Sequence, residues 1–199
     1  MNRTLLATAL LAGAALGSSF AASAQTNTAT TVQRDVNQEQ RIENGLQSGT
    51  ITTREGAELQ RDESQINRLQ TRELRDGTLS AADRARLTAA QNRTSRQISS
   101  AVHNGVDGNP MSASSQRTQA EVQRNINQQT RIEAGVQNGG LTNHEASRLE
   151  HGEARIDHNE YNVGRDGRVS ANEQARVTTR DNRESTRIHN QRWDGQRRR

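Results

Sequence analysis

Residues 32–49 read VQRDVNQEQRIENGLQSG, and residues 122–139 read VQRNINQQTRIEAGVQNG. The match needs no gap at an offset of 90 residues, from Val32 to Val122, and the register still holds at Arg75-Asp76-Gly77 against Arg165-Asp166-Gly167 and at Ile98 against Ile188. A duplication kept in register this far means one structural unit built twice. At about 100° per residue, Val32, Val36, Ile42 and Leu46 fall within a third of a helix circumference, as do Leu87, Ala90, Ile98 and Val102. Such stripes pack helices into a bundle. Only 29% of residues are apolar and there is one proline, a composition that favours long polar helices over strands. We predict helices over 28–47, 52–75 and 80–103, then 114–137, 142–165 and 170–192. The expected fold is all-α: two tandem three-helix repeats of about 90 residues, elongated, behind a cleaved leader.

Four corners punctuate this pattern. Gly49-Thr50-Ile51-Thr52 with Glu55 recurs as Gly77-Thr78-Leu79-Ser80 with Asp83, then at Gly139 with Leu141-Thr142 and Glu145, and at Gly167 with Val169-Ser170 and Glu173. A hydroxyl followed three residues later by an acid is a capping box: the hydroxyl accepts from a free N–H of the first turn, and the acid accepts from the cap residue's own N–H. The glycine ends the preceding helix. The apolar residue before each cap stands where a staple packs on the new helix. Between the copies, NGVDGNPMSAS (104–114) holds the only proline, Pro110, and reads as the linker.

The same corner resembles the closing half of an EF-hand loop, where glycine, an aliphatic residue and an acid at the twelfth position grip calcium. That resemblance implies a calcium site at the last corner, with Asn162, Asp166 and Glu173 as oxygen donors. The other corners would place Arg72 and Leu74, Asn44 and Leu46, or Ala134 and Val136 at the first and third loop positions, which suit a cation poorly. The corners also resemble the L-T-x-x-Q motif of periplasmic helical chaperones of the Spy and CpxP type, with acids in place of Gln. Over nearly the whole chain the sequence resembles exported bacterial proteins with R-I-x-x-G-x-x-x-G-x-L-T-x-x-E repeats. That implies a compartment and a repeat architecture, and no activity. The cofactor expectation is none, with calcium at the last corner as the alternative.

Met1, Arg3, the apolar stretch from Leu5 to Leu16 and the small residues ending in Ala22-Ser23-Ala24 form a secretory signal peptide with an A-x-A cleavage site. The expected division is a leader over 1–24, repeats over 25–103 and 114–193, a linker over 104–113 and a basic tail over 194–199. No cysteine is present, which excludes disulfides, thiolate metal sites and a lipid anchor. The expected address is the periplasm or the exterior, in soluble form.

The formal charge of +4 sits mainly at the ends. Between Gln25 and Gln191 there are 22 arginines, the chain's 27 less Arg3 and four in the tail, and 22 acids, the 23 less Asp194. That balance argues against an extended nucleic-acid surface. The tail RWDGQRRR, with Trp193 and Arg197, Arg198 and Arg199, offers an anionic contact. His144, His151 and His158 stand seven apart, too far along a helix to share a metal ion, and read as a solvated stripe. Pairs such as Glu150 with Arg155 are expected to support the polar helices, and Asp62-Glu63 has no apolar pocket to perturb it. No nucleophile elbow, phosphate loop or H-E-x-x-H is found. The expectation is a non-enzymatic structural, interaction or chaperone-like module of the cell envelope. Its partner would be a protein or an envelope polymer, or a second copy of the chain; the alternative is a degenerate EF-hand-type calcium binder.

Overall fold

The computed structural model describes the backbone of residues 15–193 and the side chains of residues 27–193. Residues 1–14 of the leader and the tail arginines 197–199 lie outside the described residues. The described residues form six helices and no strand: α1 (Ala15–Ser48), α2 (Thr53–Glu73), α3 (Ala81–His103), α4 (Ala113–Asn138), α5 (Asn143–Gly164) and α6 (Ala171–Trp193). Two three-helix units are therefore present, as the repeat predicts.

All four corners are capping boxes. Thr52, Ser80 and Thr142 each cap their helix reciprocally with Glu55, Asp83 and Glu145. At the fourth, Ser170 N donates to Glu173 Oε2 (2.9 Å) and Glu173 N to Ser170 Oγ (3.2 Å). Gly49, Gly77, Gly139 and Gly167 have φ between 78° and 83°, the left-handed region open to glycine. The apolar residues at the corners are buried, and Ile51 and Leu141 also lie back over the helix they follow. Ile51 N donates to Gly45 O (3.0 Å) and Leu141 N to Gly135 O (2.8 Å). A Cβ on Gly45 would stand 2.3 Å from Ile51 Cδ1, and one on Gly135 2.6 Å from Leu141 Cδ1. Gly135→Ala is expected to cost about 1–3 kcal/mol by overpacking, read as a drop in melting temperature; unchanged melting would show that Leu141 is free to move aside.

The two units are folded into each other. Gln119 near the start of α4 reaches the carbonyl of Leu46 at the end of α1 (3.4 Å), so these helices run antiparallel. Helices α2 and α5 also run antiparallel: Arg54 donates to Arg165 O (3.0 Å), Ser64 to Ala154 O (2.7 Å), and Ser147 to Thr71 O (2.7 Å). Helices α3 and α6 lie outside this four-helix layer. Arg41 holds α3 by donating to Ser95 Oγ and O (3.1 Å each), and its repeat equivalent Arg131 holds α6 through Ser185 Oγ (2.7 Å) and O (2.9 Å).

Both apolar clusters draw on both copies. One joins Val32, Leu74, Leu79 and Leu87 to Ile132, Val136, Leu141, Leu149 and Ile188. The other joins Ile42, Leu46, Ile51, Leu59 and Ile98 to Val122 and Ile126. The linker is also seated, with Gly108 N donating to Gly49 O (2.7 Å).

Candidate functional site

The four-helix layer buries a set of acids. Asp35, Glu39, Glu43, Glu63, Glu121, Glu145, Glu150, Glu153, Asp157, Glu160, Asp181 and Glu184 are buried, whereas no described arginine is. This corrects two expectations. Glu150 is fully buried and bonded to Gln129 rather than paired with Arg155. Glu63 is 1% exposed with no donor to either oxygen. The reason is the same for both: the polar side of each helix turns to a neighbouring helix instead of water, Glu150 to α4 and Glu63 toward the acids of α1.

Five of these twelve acids accept from amides on other helices. Gln60 Nε2 donates to Glu39 Oε2 (2.8 Å), and in the second copy the roles exchange, with Gln129 Nε2 donating to Glu150 Oε2 (3.1 Å). Gln70 and Gln91 donate to the two oxygens of Asp35, and Asn125 Nδ2 donates to Glu160 Oε2 (2.8 Å). Between the copies, Asn67 Nδ2 donates to Asp157 Oδ2 (2.8 Å), and these two are repeat equivalents. In each of these groups an amide oxygen is left without a donor: those of Gln60, Gln70, Gln129, Asn67 and Asn125. A proton on the acid supplies what the amide oxygen lacks, because a carboxylic acid both accepts and donates.

Burial drives the acids toward that protonated form. It pushes Asp35 up to about 7, Glu39, Glu150 and Asp181 up to about 8, and Glu63, Glu153, Asp157 and Glu160 well above the ordinary carboxylate range. Hydrogen bonds from Gln91, Gln70, Gln60, Gln129 and Asn125 oppose the rise at their partners without cancelling it.

Withdrawing the acids leaves the arginines outside. On α6, Arg176, Arg180, Arg183 and Arg187 are all exposed and follow one helix face. Arg155, Arg180, Arg183 and Arg187 line a groove of about 280 Å³ between α5 and α6. Only Arg187 there has an acid partner, Glu184 (2.6 Å). The matching groove between α2 and α3 has four arginines too, but three are spent on Asp62, Glu73 and Asp83. The balanced charge count therefore misstates the exterior, which is basic.

At the last corner, Asp166 Oδ1 accepts from Arg168 N (2.8 Å), and Glu173 Oε2 accepts from Ser170 N (2.9 Å) and Oγ (2.7 Å). Those bonds hold the Glu173 carboxyl below its ordinary range. Asn162 is exposed on α5 and bonds to neither. The three histidines are exposed, with His144 Nδ1 at 3.0 Å from Arg75 O. Trp193 is 74% exposed at the end of α6. Fold and site together define a duplicated six-helix protein with an acidic interior and a basic exterior. No protein family, curated protein or solved structure matches the chain.

Proposed function

We propose that the chain is a non-enzymatic interaction module of the cell envelope that takes an extended anionic polymer against the arginine face of α6 and its groove with α5. The observation that carries this reading is the run Arg176, Arg180, Arg183 and Arg187 on one helix face, with Arg155 across the groove and one acid, Glu184, among them. A one-sign stripe is the footprint of a polyanion partner, and guanidinium forks suit phosphate or carboxylate groups. The leader and the repeat resemblance support export, and the sequence after Trp193 holds further arginines. A chaperone-like action on acidic clients would use the same face.

The test is binding of the chain from Gln25 to polyphosphate, followed by anisotropy at several salt concentrations. Affinity is expected to fall steeply with salt. The Arg155→Gln, Arg180→Gln, Arg183→Gln variant should weaken it at least about tenfold at low salt and flatten the slope of log affinity against log salt by roughly two. Unchanged affinity in that variant, or binding indifferent to salt, would overturn the proposal. Loss only on deleting Arg197–Arg199 would move the contact to the tail.

A further inference from the structure

The copies differ in chemistry where α4, α5 and α6 meet. In the first copy the aligned positions are Thr31, Asp35, Gln70 and Gln91. That set has a single carboxylate, which takes both amides; Gln91 Nε2 also reaches Thr31 O (2.9 Å), and only Gln70 Oε1 is left without a donor there. In the second copy the same four positions hold Glu121, Asn125, Glu160 and Asp181, three carboxylates and one amide. One oxygen from each acid lies within 4.8 Å of the others, and all three acids are buried.

Their bonding is incomplete on the inward side. Glu121 is engaged, accepting from Thr178 Oγ1 (3.3 Å) and from Arg124 (2.6 Å). Among the described residues no donor reaches either oxygen of Asp181, whose carboxyl stands within hydrogen-bonding reach of Glu121 when it carries a proton, and Glu160 Oε1 has none. Asn125, 1% exposed, reaches into the group through its bond to Glu160, and its Oδ1 is also without a partner. With Arg124 offsetting Glu121, the ionised triad carries two negative charges too many.

We propose that Glu121, Glu160 and Asp181 form a buried site for one hard divalent cation of calcium's class, with Asn125 Oδ1 as a further donor. Every available ligand is oxygen, which suits calcium, magnesium or manganese rather than a thiol- or imidazole-seeking metal. Oxygens on opposite sides of a calcium ion stand roughly 5 Å apart at its usual bond lengths, which the cluster already allows; magnesium requires a tighter cage. The charge of two matches the excess. Protons are the competitor, so uptake of the ion releases protons and weakens as pH falls. The site is distinct from the last corner, whose acids are used as caps, and does not depend on the arginine face.

The first copy supplies the control. Glu121→Thr, Asn125→Asp, Glu160→Gln and Asp181→Gln together transplant its single-carboxylate set into the second copy. In calorimetry of the full mature chain with calcium chloride, wild type is expected to take about one ion. Its melting temperature should rise roughly 5 °C or more at a hundredfold excess over the dissociation constant. The transplant should fold, melt no lower than metal-free wild type, and show neither effect. No heat and no shift in wild type with calcium, magnesium or manganese chloride would overturn the proposal, as would a full response in the transplant. A response lost only with Glu173→Gln would place the ion at the last corner and overturn it equally. Should the transplant lose its helical circular dichroism, Glu160→Gln alone is judged by the same criteria.

Discussion

Raising the pH from 5 to 9 is expected to lower the melting temperature by roughly 10 °C or more. A carboxyl whose pKa is higher in the folded chain than in the unfolded one holds its proton more tightly when folded. The stability it contributes is complete below the ordinary carboxylate range, about pH 4, and is lost as pH rises through the folded value. For Asp35, Glu39 and Glu150 that loss falls between about 7 and 8, and for Glu63, Glu153 and Asp157 it also lies well above the ordinary range. Exposed caps act in the opposite sense. Asp76, Asp83 and Glu173 are held below their ordinary values by hydrogen bonds, so their contribution fades only in strong acid. Stability should peak at about pH 5. Replacing two of the acids that have no amide partner, Glu63→Gln with Glu153→Gln, should flatten the alkaline limb, since an amide cannot ionise. Thermal melts of both proteins across the range decide the matter: a level wild-type profile, or equal slopes, would show that the acids are solvated.

Asn67→Asp is expected to cost about 3 kcal/mol at pH 8, and the exchange Asn67→Asp with Asp157→Asn to restore most of it. Asn67 is 3% exposed and Asp157 1%, and their single bond of 2.8 Å ties α2 to α5. Two acids in that place cannot both ionise, because like charges so close in a dry site repel strongly. At pH 5 the penalty should shrink, since one acid keeps a proton and donates it to the other. Denaturant unfolding of the four proteins at both pH values forms a double-mutant cycle. A single variant as stable as wild type at pH 8, or an exchange that restores nothing, would show that the bond does not organise the helix pair.

The corners were legible because each letter of the repeat acts locally. Ile42 fills the core, Gly45 leaves room for Ile51, Gly49 takes the left-handed turn, and Thr52 with Glu55 starts the next helix. The packing of Ile51 back over Gly45 and the reach of Arg41 to Ser95 on α3 needed the tertiary structure. The interior acids were not legible from one copy read alone. A charged residue on a polar helix face is expected to meet water, and nothing in one helix's periodicity says that α2 and α5 will close on each other. The trace was in the comparison of the copies: Asp35 against Asn125, Glu39 against Gln129, Gln60 against Glu150, Asn67 against Asp157 and Gln70 against Glu160 exchange acid for amide at aligned positions. Solvated positions would drift among many polar residues rather than trade these two types. The same burial made the charge count misleading, since it counted acids that the fold takes out of the surface.

The bonds from Ser64 to Ala154 and from Asn67 to Asp157 each join residues 90 positions apart, the length of the repeat. Each residue there meets its own counterpart. In a two-fold dimer of single-copy chains, any residue on the axis faces an identical one, so position 67 would set asparagine against asparagine or acid against acid. An acid opposite an amide is open only to a chain that carries both copies and lets each mutate alone. The duplication thus does more than lengthen the protein: it leaves the two residues that meet at the axis free to differ, and the mixed interior uses that freedom.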